Sequence, residues 1–133
     1  MIRRHPGITE IQPGSFMVMD TAYRILCDDF DPALTILATV ISKKDGERIV
    51  LDAGLKSVSS ERGLPTIKNH DGMRVHKVNA EHTIVTILDP SLQIYVGDQV
   101  EMWVPCGDTT VFLHDVMYGI RGDSVEEQFY IEG

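Results

Sequence analysis

The chain has 133 residues, 43% of them apolar and 24% charged, which is the balance of one globular domain able to bury a core without disulfides. Its formal net charge of −8 makes an acidic surface that repels phosphate backbones, so nucleic acid is excluded as an expected partner. No apolar run reaches the roughly eighteen residues of a membrane-spanning helix. The opening Met1-Ile2-Arg3-Arg4-His5-Pro6-Gly7 carries two positive charges but no apolar segment after them. It does not read as a signal peptide, and a cytoplasmic location is expected. Cys27 and Cys106 are accordingly expected to be free thiols.

Along the chain, segments of strand character dominate. Gly14 to Met19 follows a Pro-Gly turn signal and is apolar enough for a buried strand. Asp20 to Cys27 is the single weak helical candidate. Leu34 to Ile41 is a continuous apolar, β-branched run, which predicts a strand covered on both faces, although periodicity alone also admits a short helix. Lys43-Lys44-Asp45-Gly46 is a hairpin turn, and the return strand runs from Glu47 to Asp52. Residues 52 to 65 form an ordered loop, the kind of segment that carries sites. Strands are then expected at Met73–Val78, Thr83–Leu88, Gln99–Val104 after a Val96-Gly97-Asp98 turn, Thr109–Leu113, Val116–Arg121 and Val125–Ile131, the last two joined by Gly122-Asp123. About nine or ten short strands separated by turn signals predict an all-β barrel or sandwich. Closure is expected, because open edges invite association.

Four clusters hold residues suited to chemistry. Pro105-Cys106-Gly107-Asp108 places a thiol and a carboxylate two residues apart, and both types bind zinc, while Asp also suits manganese. A metal-free turn between two strands explains the same residues. Glu81-His82 sets a carboxylate beside an imidazole, which either tunes a functional histidine or marks a solvated turn. Lys56, in Asp52-Ala53-Gly54-Leu55-Lys56 with Ser59-Ser60 after it, lacks phosphate-loop spacing and is expected to be solvated. His114-Asp115 is expected to be a buried or edge histidine paired with its neighbour. Met17, Met19, Met73 and Met102 are expected in the core. Trp103, Tyr95, Tyr118, Phe129 and Tyr130 are expected in core or edge packing. No Ser-His-Asp arrangement or dinucleotide fingerprint is present.

These segments also carry a resemblance. Residues 9 to 20 resemble "T-E-x-x-x-G-x-Y-x-x-x-D", and Val50 to Ser59 resembles "V-x-D-A-G-x-K-x-x-S". Ala80-Glu81-His82-Thr83 is similar to "x-E-H-G", and Val96 to Val100 to "V-G-D-x-V". Val104 to Asp115 resembles a metal loop. Together, and in this order, they resemble the C-terminal β-domain of the D-threonine aldolase / D-serine dehydratase family, which belongs with alanine racemase among fold-type III pyridoxal-phosphate enzymes.

The resemblance implies that residues 1–133 form an alanine racemase-like C-terminal β-domain, with the N-terminal (β/α)₈ barrel and its cofactor lysine outside this chain. That barrel, as a domain or a separate subunit, is the implied partner, and the parent enzyme is implied to be a homodimer. The implied function is that of the metal-binding domain of a lyase that cleaves or dehydrates a small D-β-hydroxy amino acid. A stand-alone or split-subunit binding module without activity of its own is the alternative. The implied cofactors are pyridoxal phosphate and a divalent metal, zinc before manganese or magnesium. Cys106 falls on a ligand position usually held by His, and Asp108 on one held by Cys or Asp. His82 is the implied neighbour of the reaction. Cys106, Phe112 in place of Asn and Thr83 in place of Gly are departures from the family pattern. Lys56 matches a lysine of the β-domain and not the one that binds the cofactor.

Overall fold

The computed structural model describes residues 5–132, so Met1, Ile2, Arg3 and Arg4 of the opening segment and Gly133 lie outside it. Eight strands are present among the described residues: β1 Thr35–Lys44, β2 Arg48–Leu51, β3 Thr66–Ile67, β4 Met73–Val78, β5 Thr83–Ile87, β6 Gln99–Trp103, β7 Val116–Arg121 and β8 Ser124–Tyr130. Two short helices, α1 Thr21–Arg24 and α2 Gly107–Val111, accompany them. The all-β, barrel-like expectation therefore holds, with eight strands rather than nine or ten.

Strands β3-β6-β1-β2-β5-β4 form one antiparallel sheet in that spatial order. Its edge strands β3 and β4 lie against each other, so the sheet curls almost into a barrel. Period-two alternation points one row of each strand inward. Ala38 and Val40, Ile49 and Leu51, Met73 and Val75, Val85 and Ile87, and Val100 and Met102 make the core, closed by Ala53, Val58, Ile94 and Val104. The β1–β2 turn uses Asp45 and Gly46 at φ 49° and 73°, two successive left-handed residues whose twist matches that of the strands. Bulges at Val40/Ser42 and Val75/Lys77 add curvature.

Several expectations are corrected. Gly14–Met19 is not a strand: Ser15–Met17 forms a 3₁₀ turn, and Met19 sits at φ 41°. Met17 is exposed, whereas Met19, Met73 and Met102 are buried. β1 is covered on one face only, since Leu37 and Ile41 point outward and are exposed. Thr109–Leu113 is not a strand, because α2 occupies Gly107–Val111. Tyr95, Tyr118, Phe129 and Tyr130 are exposed rather than core. β7 and β8 pair only with each other, and every residue of β8 is exposed. Between this hairpin and β1 lies a cleft of about 890 Å³ lined by Ile36, Leu37, Val116, Tyr118, Ile120 and Val125, among others. No helix of the described residues is long and apolar enough to cross a membrane.

Glu101 on β6 ties three elements together. Its Oε2 accepts hydrogen bonds from Thr35 Oγ1 and Lys68 Nζ, each at 2.8 Å. Burial pushes its carboxyl up, but the bonds from Lys68 and Thr35 outweigh this and hold it below the usual value of 4.5. A carboxyl depressed in the folded state contributes stability above its unfolded pKa, and that stability is lost as pH falls through the folded value. Urea unfolding is therefore expected to show stability falling below about pH 4.5, with a flatter limb in Glu101→Gln. Parallel curves for the two proteins would contradict the assignment.

Candidate functional site

The loop of residues 52–60 is held by backbone contacts to two neighbours. On one side it meets the turn between β4 and β5. Leu55 N donates to Asn79 O (2.9 Å), and Lys56 N donates to Ala80 O (3.1 Å). At Gly54 the backbones touch so closely that an added Cβ would lie 2.4 Å from Asn79 O and 2.5 Å from His82 N. Only glycine fits there. The buried hydroxyl of Thr83 donates to Ala53 O at 2.7 Å, and Lys56 pairs with Glu81 across the surface. The sequence segments around Lys56 and His82 thus form one unit.

On its other side the loop meets α2. Ser59 N donates to Thr110 Oγ1 (3.2 Å), and His114 Nε2 lies 2.8 Å from Ser57 O, which accepts its proton. His114 is partly buried and bonded to this carbonyl rather than to Asp115.

Cys106 is the N-cap residue of α2 and Asp108 lies in its first turn. The expected rim loop is therefore a helix start. The β-branched Thr109, Thr110 and Val111 favour a strand locally, but tertiary bonds override that preference. The carboxylate of Asp20 is 2% exposed and has one partner for each oxygen. Oδ1 accepts from Tyr23 N and caps α1, and Oδ2 accepts from Gly107 N, both at 2.8 Å. Thr21 N donates to Val104 O at 3.1 Å. Residues 20 and 21 thereby grip both ends of the Val104–Gly107 segment. The Arg62 guanidinium lies over the Tyr23 ring, 4.4 Å from its centroid. Contact with Tyr23 raises its pKa further above an already high value, with smaller contributions from Cys106 and Asp20.

The candidate site residues occupy different environments. Cys106 is 1% exposed, whereas Asp108 and His82 are exposed. His82 is joined to the loop through its backbone, and Glu81 is engaged by Lys56. Among the described residues no three His, Cys, Asp or Glu side chains converge as a metal-ligand group. The Thr109 Oγ1 atom, beside Asp108, is buried without a hydrogen-bond partner. Cys106 and Asp108 are donor types that a divalent ion accepts, but the first is buried and the second exposed. Asp20 and Arg62 were not singled out from the sequence. An Asp directly before Thr-Ala-Tyr-Arg is a helix-cap signal, and it also closes the first quoted motif.

Residues 33–120 match the family described as putative serine dehydratase domain. The chain belongs to that family. It is 38% identical over 124 residues to D-threonine aldolase of Arthrobacter sp., covering 90% of this chain and 32% of that protein. It is 33% identical over 126 residues to 3-hydroxy-D-aspartate aldolase of Paracoccus denitrificans (strain Pd 1222), covering 88% and 32%. The crystal structure of D-threonine aldolase from Filomicrobium marinum superposes with a TM-score of 0.82 at 27% identity, covering 90% of this chain and 33% of that one. The chain spans about a third of the length of the curated relatives it matches.

The close approach at Gly54 yields a prediction. Gly54→Ala is expected to destabilise the fold by about 1–3 kcal/mol, as overpacking against backbone does. Gly14→Ala, where an added Cβ meets nothing within 4 Å, is the control and is expected to be near neutral. Urea denaturation of both proteins checks this, and equal midpoints would contradict the packing described.

Proposed function

We propose that this chain is the metal-carrying β-domain of a pyridoxal-phosphate-dependent lyase that acts on small D-β-hydroxy amino acids, by aldol cleavage or by dehydration. The observation that carries this reading is the 38% identity to a D-threonine aldolase across 90% of the chain. Support at the residue level comes from Cys106 and Asp108, two donor types two residues apart in sequence at a helix start held at both ends by other elements. The cofactor-bearing barrel is proposed as the partner, in the same polypeptide or another, and the assembled enzyme as a homodimer in the cytoplasm.

When bound, the metal supplies a Lewis acid for the substrate's β-hydroxyl, and pyridoxal phosphate supplies an electron sink. This chain's own residues do the rest of the β-domain's work. The Cys106 thiolate and Asp108 carboxylate would hold the ion, and their anionic, sulfur-containing pair would favour zinc over manganese or magnesium. Because Cys106 is buried and Asp108 exposed, the first turn of α2 must adjust for both to reach one point. His82, exposed on the turn docked at Gly54, is proposed to exchange a proton with the substrate.

A second reading, a split subunit or stand-alone binding module, is favoured by one observation. Tyr118, Ile120, Val125, Phe129 and Tyr130 on the β7–β8 hairpin leave apolar surface exposed.

Elemental analysis of the purified chain beside a Cys106→Ala/Asp108→Ala double variant tests the metal-carrying reading. Near-stoichiometric zinc is expected in the first and at least a tenfold loss in the second, with far-ultraviolet circular dichroism unchanged, on the order expected when primary ligands are removed. Equal zinc in both would sink the assignment of this pair.

A further inference from the structure

We infer that β8 pairs antiparallel with β8 of a second copy of this chain, with Gln128 opposite its own counterpart, an inference that rests on the homodimer reading above and on no metal. A two-stranded hairpin is marginal in water, and three or more strands with an apolar face are needed for stability. Yet β7 and β8 pair only with each other. Val116, Tyr118 and Ile120 alternate onto one face, and their partners Tyr130, Gln128 and Val125 share it. Tyr118, Ile120, Val125 and Tyr130 on that face are between 59% and 77% exposed.

The backbone decides which residues of β8 can accept a further strand. Ile131 N donates to Asp115 O at 2.9 Å, and the hairpin register makes these two residues direct partners. Ile131 therefore turns its polar groups toward β7, and alternation gives Phe129 and Glu127 the same direction. The N–H and C=O of Gln128 and Tyr130 then face the open edge. The bulge at Gly119/Ile120, where Glu126 is the extra residue on β8, lies toward the turn and leaves residues 127–130 regular. β8 contains neither lysine nor proline, two residues that commonly blunt an edge.

The strand's own sequence selects a second copy as the occupant. A twofold antiparallel pair must set outward-facing residues opposite outward-facing residues. Centred on Glu127, it would bring two carboxylates directly opposite each other, which is destabilising. Centred on Phe129, it would oppose Glu126 to Glu132 and shorten the overlap. Centred on Gln128, it sets Gln128 against Gln128, Glu127 against Phe129 and Glu126 against Tyr130, so no carboxylate meets another. Glu126 is already paired with Arg121 at 2.8 Å. The β8 edge is thus complementary to itself in charge and in backbone pattern. The resulting four-stranded sheet carries the apolar faces of both hairpins side by side.

Light scattering after size exclusion, with circular dichroism on the same samples, tests the pairing on the full chain. The mass of the wild type is expected to rise with concentration from 14.9 kDa toward twice that value. Gln128→Pro removes the outward N–H without removing a bond to β7 and is expected to stay monomeric. Gln128→Thr keeps that N–H and is expected to dimerise like the wild type. Gln128→Lys lowers the net negative charge yet opposes two ammonium groups, and it is expected to raise the dissociation constant about 2- to 5-fold. If Gln128→Pro does not fold, Gln128→Lys decides alone. Tighter association of Gln128→Lys would overturn the register, since a pair centred on Glu127 sets position 128 against Glu126. A dimer of equal affinity in every folded variant would overturn this surface and leave the homodimer standing. A wild type that stays monomeric at millimolar concentration would overturn the pairing and leave the edge to another polypeptide, such as the barrel. The zinc analysis above tests the metal reading separately.

Discussion

The contact at Gly54 is the constraint on which the candidate site rests. Backbone meets backbone there, with no room for a single methyl group. Long side chains cannot set such a distance, but two backbones in van der Waals contact can. Leu55 and Lys56 then hydrogen-bond along the 79–82 turn, and Thr83 satisfies Ala53 O from the core side. Once this end of the loop is fixed, its other end presents Ser59 N to Thr110 of α2 and Ser57 O to His114 just after it. The loop thus links the turn that bears His82 to the helix that bears Cys106 and Asp108, without any of these three side chains contributing to the link.

Electrostatics completes what packing begins. The negative charge of Asp20 lies at the first turns of both α1 and α2, where amide groups without helical partners face it. Hydrogen bonds to a charged acceptor contribute about 1.5–3 kcal/mol each, which offsets much of the cost of keeping a carboxylate out of water. Asp108 in the first turn of α2 adds a charge that this helix end also favours. The backbone that carries this thiol and carboxylate is held at Gly107 by a group remote in sequence.

Much of the scaffold was legible because its signals are local. Alternation in Met73–Val78, and the Gly122-Asp123 turn after Val116–Arg121, gave strands with the bounds observed, and Asp45-Gly46 gave the tight turn. The order of five motifs placed the chain in its family, which the match over residues 33–120 shows independently. The failures have long-range causes. Thr109-Thr110-Val111 has strand propensity, yet it is helical because Asp20 and Ser59 hold its first turn from distant parts of the chain. Gly14–Met19 is apolar but bends, with Val18 O taken by Ala33 N and Leu34 N instead of by a neighbouring strand. In the site, Cys106 and Asp108 could be paired by spacing alone. Their unequal burial, and the bond from Gly107 N to Asp20 between them, are visible only in three dimensions.

The central claim is that one ion joins the Cys106 thiolate to the Asp108 carboxylate. Zinc K-edge X-ray absorption on the zinc-loaded chain tests it most directly, because sulfur and oxygen neighbours differ in distance. The account predicts one sulfur at about 2.3 Å together with an oxygen shell near 2.0–2.2 Å, and loss of the sulfur in Cys106→Ala. A shell of nitrogen and oxygen only, the same in both proteins, would contradict it.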